Sequence, residues 1–183
     1  MISVVVYAQR PDRPAQIVAD ILAQFGRTEL HLSSSITAEG KGETLYIVNA
    51  VNRLENLKLP QTVILFADRS APRQLKLCDN AIVVAGADNR RVSNLLCGRP
   101  NPLITCGTGL RDTLTLSSSV EDRVVLCAQR EIPTAAGKWI EPFELAVQLG
   151  GASVRTTLFA AGTAAACGCD LSGREFTIGK KDL

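Results

Sequence analysis

Residues 62–67 (Thr-Val-Ile-Leu-Phe-Ala) carry no charge and no helical spacing of polar positions. A stretch this short and this evenly apolar fits a strand covered on both faces, inside a sheet with layers above and below it. Residues 2–7 (Ile-Ser-Val-Val-Val-Tyr) and 81–85 (Ala-Ile-Val-Val-Ala) have the same character. From 13 to 25 the pattern changes to helical spacing, with apolar positions at Ile17, Val18, Ile21, Leu22 and Phe25. A strand over 29–32 follows closely, so the helix is read as a right-handed crossover between parallel strands. The fold class expected is α/β, with a mainly parallel three-layer sheet and an antiparallel β extension near the C-terminal half.

The remaining segments fill in this plan. Asp12 or Arg13 is expected to cap the first helix, with Pro14 in its first turn and Gly26 closing it in the left-handed conformation. Residues 33–42 read as a loop, 44–51 as a strand, 52–60 as a connection and 70–77 as a short helix. Asp88 and Asn89 cap a helix reaching Leu96, and 103–106 form a strand ending at Gly107. Two antiparallel strands follow over 113–117 and 123–129 around the turn 119–122, then a hairpin at Ala136-Gly137 into Trp139 and a strand over 143–149. Gly150-Gly151 breaks that strand before an alanine-rich helix over 153–166, and 170–183 is coil with a solvated Lys180-Lys181-Asp182 tail. The chain reads as one domain over 1–183: a parallel α/β part (1–110), the β extension (111–150), and a closing helix with its tail (151–183).

Composition limits the function classes. A net charge of +2 is too small to argue for nucleic acid, and aromatic residues at 4% leave no platform for stacked bases. No apolar run approaches the length of a membrane span, and the N-terminus shows no leader pattern, so a cytoplasmic protein is expected. The six cysteines are dispersed in apolar stretches and read as reduced, buried thiols. Cys167-Gly168-Cys169 has the wrong spacing for zinc, and His31 is the only histidine, so no metal and no cofactor are expected.

Three places invite a functional reading. In the turn 9–13, Arg10 and Arg13 flank a helix N-terminus and could hold an anion, but Pro11 removes one backbone donor, which favours a solvated polar turn. At 86–91, Asp88 and Asn89 stand where a parallel strand ends, the edge at which open α/β sheets bind ligands. There Asp88 either holds a ribose hydroxyl or caps the helix. At 105–112, Gly107 and Gly109 permit positive φ, which serves either a close ligand or the chain's exit from the parallel sheet, with Arg111 beside them. Cys106 at that strand end is a nucleophile on one reading and a buried thiol on the other.

The order of the segments resembles the central domain of the Mur ligases, ATP-dependent enzymes that add amino acids to cell-wall precursors. Val4-Val5-Val6-Tyr7, with 17–22 and Phe25-Gly26-Arg27, is similar to that family's phosphate-loop strand and helix. Residues 83–91 resemble its Val-x-Asn-x-Asp-Asp-Pro strand and turn, and Ile104-Thr105-Cys106-Gly107 its Ile-Thr-x-Gly strand. Residues 150–161 fall where the family has Gly-x-His-Asn-x-x-Asn-x-x-Ala-Ala, and 167–171 resemble its Leu-Gly-Ile-Asp ending. The departures lie at the chemistry. Gln9 to Pro14 replace Gly-x-x-Gly-Lys-Thr/Ser, Ala152, Ser153 and Thr156 replace the His-Asn and Asn, and the magnesium ligands and carbamylated lysine have no counterpart.

The expectation is therefore a bacterial protein without ligase activity, acting as a binding, scaffold or regulatory module linked to cell-wall precursor metabolism. Its partner would be a second copy, docked through the β extension or the last helix, or a cell-wall synthesis protein. The alternative is a small nucleotide-binding protein or enzyme with its site at the carboxyl edge of the sheet. The candidate ligand-binding residues are Arg10, Arg13, Asp88, Asn89, Gly107 and Arg111.

Overall fold

Eleven strands form one sheet, and seven of them run parallel through its middle. The computed structural model describes residues 1–33 and 35–178. The Lys180-Lys181-Asp182 tail and Ser34 lie outside the described residues. In chain order the main-sheet strands are β1 (Ile2–Tyr7), β2 (Arg27–His31), β3 (Ile36–Glu39), β4 (Leu45–Val51), β6 (Thr62–Phe66), β8 (Ile82–Gly86), β9 (Leu103–Gly107), β10 (Leu114–Val120), β11 (Arg123–Ala128), β14 (Glu144–Gln148) and β15 (Glu175–Thr177). Two small ribbons sit outside it: β5 (Asn56–Leu57) beside β7 (Lys76–Leu77), and β12 (Ile132–Pro133) beside β13 (Trp139–Ile140). The helices are α1 (Asp12–Leu22), α2 (Arg90–Leu96) and α3 (Val154–Ala166).

The sheet order is β15-β14-β11-β10-β9-β8-β6-β1-β4-β2-β3. From β2 to β10 every neighbouring pair is parallel, whereas β11 is antiparallel to both β10 and β14. The expected mainly parallel sheet with its antiparallel extension is therefore what the chain builds. Side-chain alternation divides the core into two. Val4, Val6, Val63, Leu65, Val84 and Cys106 face α1 and α3. Val5, Ile64, Phe66, Val83 and Ala85 face α2, Leu57 and Leu75. Every residue of β1, β6 and β8 is buried, which is why these strands read as unbroken apolar runs.

Several local expectations are corrected. Residues 70–77 do not form a helix. Asp68 accepts hydrogen bonds from the Ser70 N–H and hydroxyl, Pro72 follows, and Lys76 and Cys78 donate to the carbonyls of Glu55 and Leu57 instead. The 33–42 loop contains β3, a fully exposed edge strand with no apolar face for a pattern to show. The coil after 170 contains β15, parallel to β14 and anchored by buried Phe176 and Ile178. Helix α1 stops at Leu22, and its N-cap Pro11 makes no side-chain cap; Asp12 instead accepts from the Ser33 hydroxyl at 3.3 Å. Gly26 is not in the left-handed region. Its requirement is space, because a Cβ there would lie 2.5 Å from the Thr44 carbonyl oxygen.

Candidate functional site at the carboxyl edge

Because β1, β6, β8 and β9 are parallel, the segments that leave their carboxyl ends meet at one edge of the sheet. These segments bring Gln9, then Asp68-Arg69-Ser70, then Asp88-Asn89, then Thr108 to Asp112. The start of α3 closes over the same edge, with Ser153 capping it by accepting from the Thr156 N–H at 3.1 Å. One turn of helix there directs Arg155 at the end of β8.

Asp88 is the centre of the arrangement. Arg155 grips it with two bonds, Nη2 to Oδ1 at 2.9 Å and Nη1 to Oδ2 at 3.2 Å. Arg69 adds Nε to Oδ2 at 2.8 Å and Nη2 to Oδ2 at 2.7 Å. The Arg155 hydrogen bonds hold the Asp88 carboxyl down to about 2, against the partial burial that opposes them and with Arg69 assisting. The forked geometry of guanidinium on carboxylate makes this a well-defined joint between three segments. Gly86 admits it: a Cβ there would stand 2.6 Å from both Arg155 Nη2 and Asp88 Oδ1. The Arg155 guanidinium also lies 4.9 Å above the centre of the Phe159 ring.

Two cavities share Asp88 as a wall. The first, about 460 Å³, is lined by Gln9, Asp68, Arg69, Ser70, Asp88, Asn89, Arg90 and Arg91. Burial pushes the Asp68 carboxyl up, but hydrogen bonds from Ser70 and from the Gln9 N–H outweigh this and leave it below its ordinary value. The second, about 400 Å³, lies between the β9 end and α3, against Cys106, Gly107, Asp112, Arg155 and Phe159. Burial pushes the Cys106 thiol far up, with the Asp112 charge adding to the effect, which disfavours the thiolate a nucleophile needs. Gly107 and Gly109 do not use positive φ; they leave room for the Asp112 carboxylate, which accepts from the Gly109 N–H at 2.8 Å.

The residues singled out from sequence separate into two groups. Asp88 and Asn89 line the first cavity, and Asp88 and Gly107 the second. Asn89, not Asp88, caps α2: its Oδ1 accepts from the Val92 N–H while Nδ2 donates to the Asp68 carbonyl. Arg10, Arg13 and Arg111 line neither cavity. Arg13 donates to the Gly151 carbonyl at 3.1 Å, tying the start of α1 to the loop before α3. Arg111 contributes its backbone carbonyl to Arg130. Asp68, Arg69 and Arg155 were missed. The signal for the first two was the charged turn directly after the apolar run 62–67, the same position rule that found Asp88.

The turn 8–12 joins β1 to α1. Pro11 has no N–H to offer, no lysine stands in it, and Asp12 puts negative charge into the first turn of α1. Among the described residues, no group of three His, Cys, Asp or Glu side chains is placed to hold a metal ion. No described helix is long and apolar enough to cross a membrane.

No protein-family model matches the sequence, and no curated protein matches it closely enough to count as a relative. Solved structures do match. A murein peptide ligase from Psychrobacter arcticus superposes on 93% of this chain with a TM-score of 0.60 and 7% identity. The UDP-N-acetylmuramate:L-alanyl-gamma-D-glutamyl-meso-diaminopimelate ligase from Neisseria meningitides does so on 93%, with a TM-score of 0.62 and 11% identity. The fold is Mur-ligase-like. A third such enzyme, a UDP-N-acetylmuramoyl-L-alanyl-D-glutamate–2,6-diaminopimelate ligase, gives 93%, 0.58 and 12%. The chain spans 45%, 63% and 44% of the lengths of these three chains, so it matches only part of each Mur ligase.

Proposed function

We propose that this protein is a Mur-ligase-like binding module without ligase activity, which takes up a small anionic ligand at the carboxyl edge of its sheet. The observation that carries the reading is the Arg69–Asp88–Arg155 joint. A ligand phosphate or carboxylate that displaces Asp88 from one guanidinium keeps that arginine paired and frees a neighbouring polar cavity. The turn 8–12 supports the absence of phosphoryl transfer, which rests on charge neutralisation that this turn does not supply. The likeness to enzymes whose names specify UDP-N-acetylmuramate substrates supports a link to cell-wall precursors. We place the protein in the cytoplasm as one unit over 1–183, supported by six free thiols and by a sheet that runs through all three parts of the chain.

The test is thermal shift with UDP-N-acetylmuramate and with ATP–magnesium. The expected result is a rise in Tm with the former that Arg155→Gln abolishes, and none with the latter. A shift with ATP–magnesium accompanied by ADP formation would sink the reading. The cavity against Gly107 favours a second reading, a nucleotide-binding protein or enzyme at the same edge, for which ATP alone would raise Tm without turnover. Association with a second copy through the β extension or α3 is tested by light scattering, where a strict monomer counts against it.

A further inference from the structure

The face of the sheet under α2 carries a different concentration of charge. A groove of about 790 Å³ runs between the segment 71–76 and α2, and Arg73, Lys76, Arg91 and Arg99 line it with no carboxylate among them. A second groove, about 630 Å³, lies on the other side of the same segment, sharing Pro72, Arg73, Gln74 and Lys76 and adding Arg53. Glu55, whose carbonyl accepts from the Lys76 N–H, is the one acid among the described residues of either lining. All five cations are exposed, and among the described residues none of them makes an ion pair or a side-chain hydrogen bond. Four arginines elsewhere, Arg27, Arg69, Arg123 and Arg155, are by contrast each matched to a carboxylate. Five unmatched cations over two joined grooves, in a chain whose net charge is only +2, make a local positive field that the composition does not show.

From this geometry we infer that the double groove binds an extended acidic peptide segment of a partner protein. Four properties select that class. The two grooves together are longer than a small anion needs. Their walls carry carboxamides, Gln74 and Asn94 in one and Asn52 and Asn56 in the other, whose side chains make no hydrogen bond within the chain. Each offers both a donor and an acceptor, which suits a peptide backbone with its alternating N–H and C=O, whereas a polyphosphate accepts only. Half-buried Leu54 and Leu95 add aliphatic surface that takes apolar side chains between acidic ones. The only aromatic residue in either lining is Tyr7, which is 8% exposed, so the grooves offer no stacking surface for nucleic-acid bases. This surface is independent of the carboxyl-edge reading, since only Arg91 lines both.

The experiment is fluorescence anisotropy on the full chain at low salt. The probes are a fluorescein-labelled peptide of six Glu-Leu repeats, the same peptide with Lys for Glu, and a labelled oligothymidine of matching length. The Glu-Leu peptide is expected to bind in the micromolar range, and the Lys-Leu peptide not to bind. The combined Arg73→Ser, Lys76→Ser and Arg99→Ser variant should weaken the Glu-Leu peptide about tenfold or more, while Lys138→Ser on the β12–β13 hairpin leaves it unchanged. All three substituted residues are solvent-exposed, and a melting curve checks the fold. If the triple variant melts early, Arg73→Glu with Arg99→Glu should instead transfer binding to the Lys-Leu peptide. Three results overturn the proposal: no binding of the Glu-Leu peptide, affinity unchanged in the folded variants, or oligothymidine binding as tightly as the peptide and lost in the same variants.

Discussion

Two layers cover the central strands very differently. On one face α1 and α3 lie against each other, α1 over β2 and β4 and α3 over β6, β8 and β9, and residues 157–166 of α3 are buried without a break. On the other face the cover is a seven-residue helix, α2, with only Val92 and Leu96 buried, together with the short β5–β7 ribbon. Both layers seal equally apolar strand surfaces, yet one does so with side chains alone and the other leaves grooves with charged walls. Thick cover fixes the carboxyl-edge joint in place through Arg155, whereas thin cover leaves cations with no internal partner. The same sheet therefore presents one joint, Arg69–Asp88–Arg155, whose charges are paired within the chain, and one surface whose cations are not.

The largest test of that contrast is a pair of truncations. Phe159→Ala, on the thick side and 2% exposed, should cost about 3–5 kcal/mol, while Leu96→Ala, 8% exposed at the end of α2, should cost about 2 kcal/mol. Denaturant unfolding measures both, and equal losses would break the comparison. Next is Asn89→Ala, which removes the α2 cap and the bond to the Asp68 carbonyl from a residue 1% exposed. About 1–2 kcal/mol is expected, and a loss below about half of that would mean α2 holds without its cap.

Asp88→Asn probes the joint itself. The Asp88 carboxyl is depressed from 3.8 to about 2, so its contribution to stability is complete above about pH 4 and is lost as pH falls towards 2. Its side chain is 38% exposed and those of Arg155 and Arg69 are 43% and 77% exposed, so solvent screening reduces the effect to about 1 kcal/mol or less. The wild-type chain should lose this increment on acidification and the variant should not; parallel acid profiles would remove Asp88 from the account. The smallest effect is chemical. Cys97, exposed at the end of α2, should react with a thiol reagent in the native protein. Cys106 and Cys167 are buried against and at the end of α3, with thiols pushed up by burial, and should stay silent until unfolding. Equal reactivity would mean that the thick layer opens as readily as the thin one.

What could be read in advance follows the same division. β1, β6 and β8 announce themselves because burial on both faces leaves an unbroken apolar run, and α3 because Gly150-Gly151 and Ser153 punctuate its start. β3, β7 and β15 are short and lie at edges or in a ribbon, and the single buried position within β15, Phe176, is too little to make a period-two pattern. Asp88 was visible because its position follows from strand direction alone. Its partners were not, since Arg69 and Arg155 stand 19 and 67 residues away and meet it only through tertiary packing. The anion reading of Arg10 and Arg13 assumed that cations near a helix start face a common point. Arg13 instead bonds a carbonyl 138 residues on.

The central place of β1 has a consequence for how the chain comes into being on the ribosome. β1 pairs on one side with residues 45–51 and on the other with 62–66, so it waits, unpaired, until these later segments have emerged. The α3 cover for Val84, Cys106 and their neighbours is not made until residues 154–166 are out. Until then the nascent chain exposes an apolar sheet face, and sequence-distant parallel pairings of this kind close slowly. Truncation before residue 154 should leave an aggregation-prone chain, and a holdase that shields the nascent strands should raise the yield of native protein.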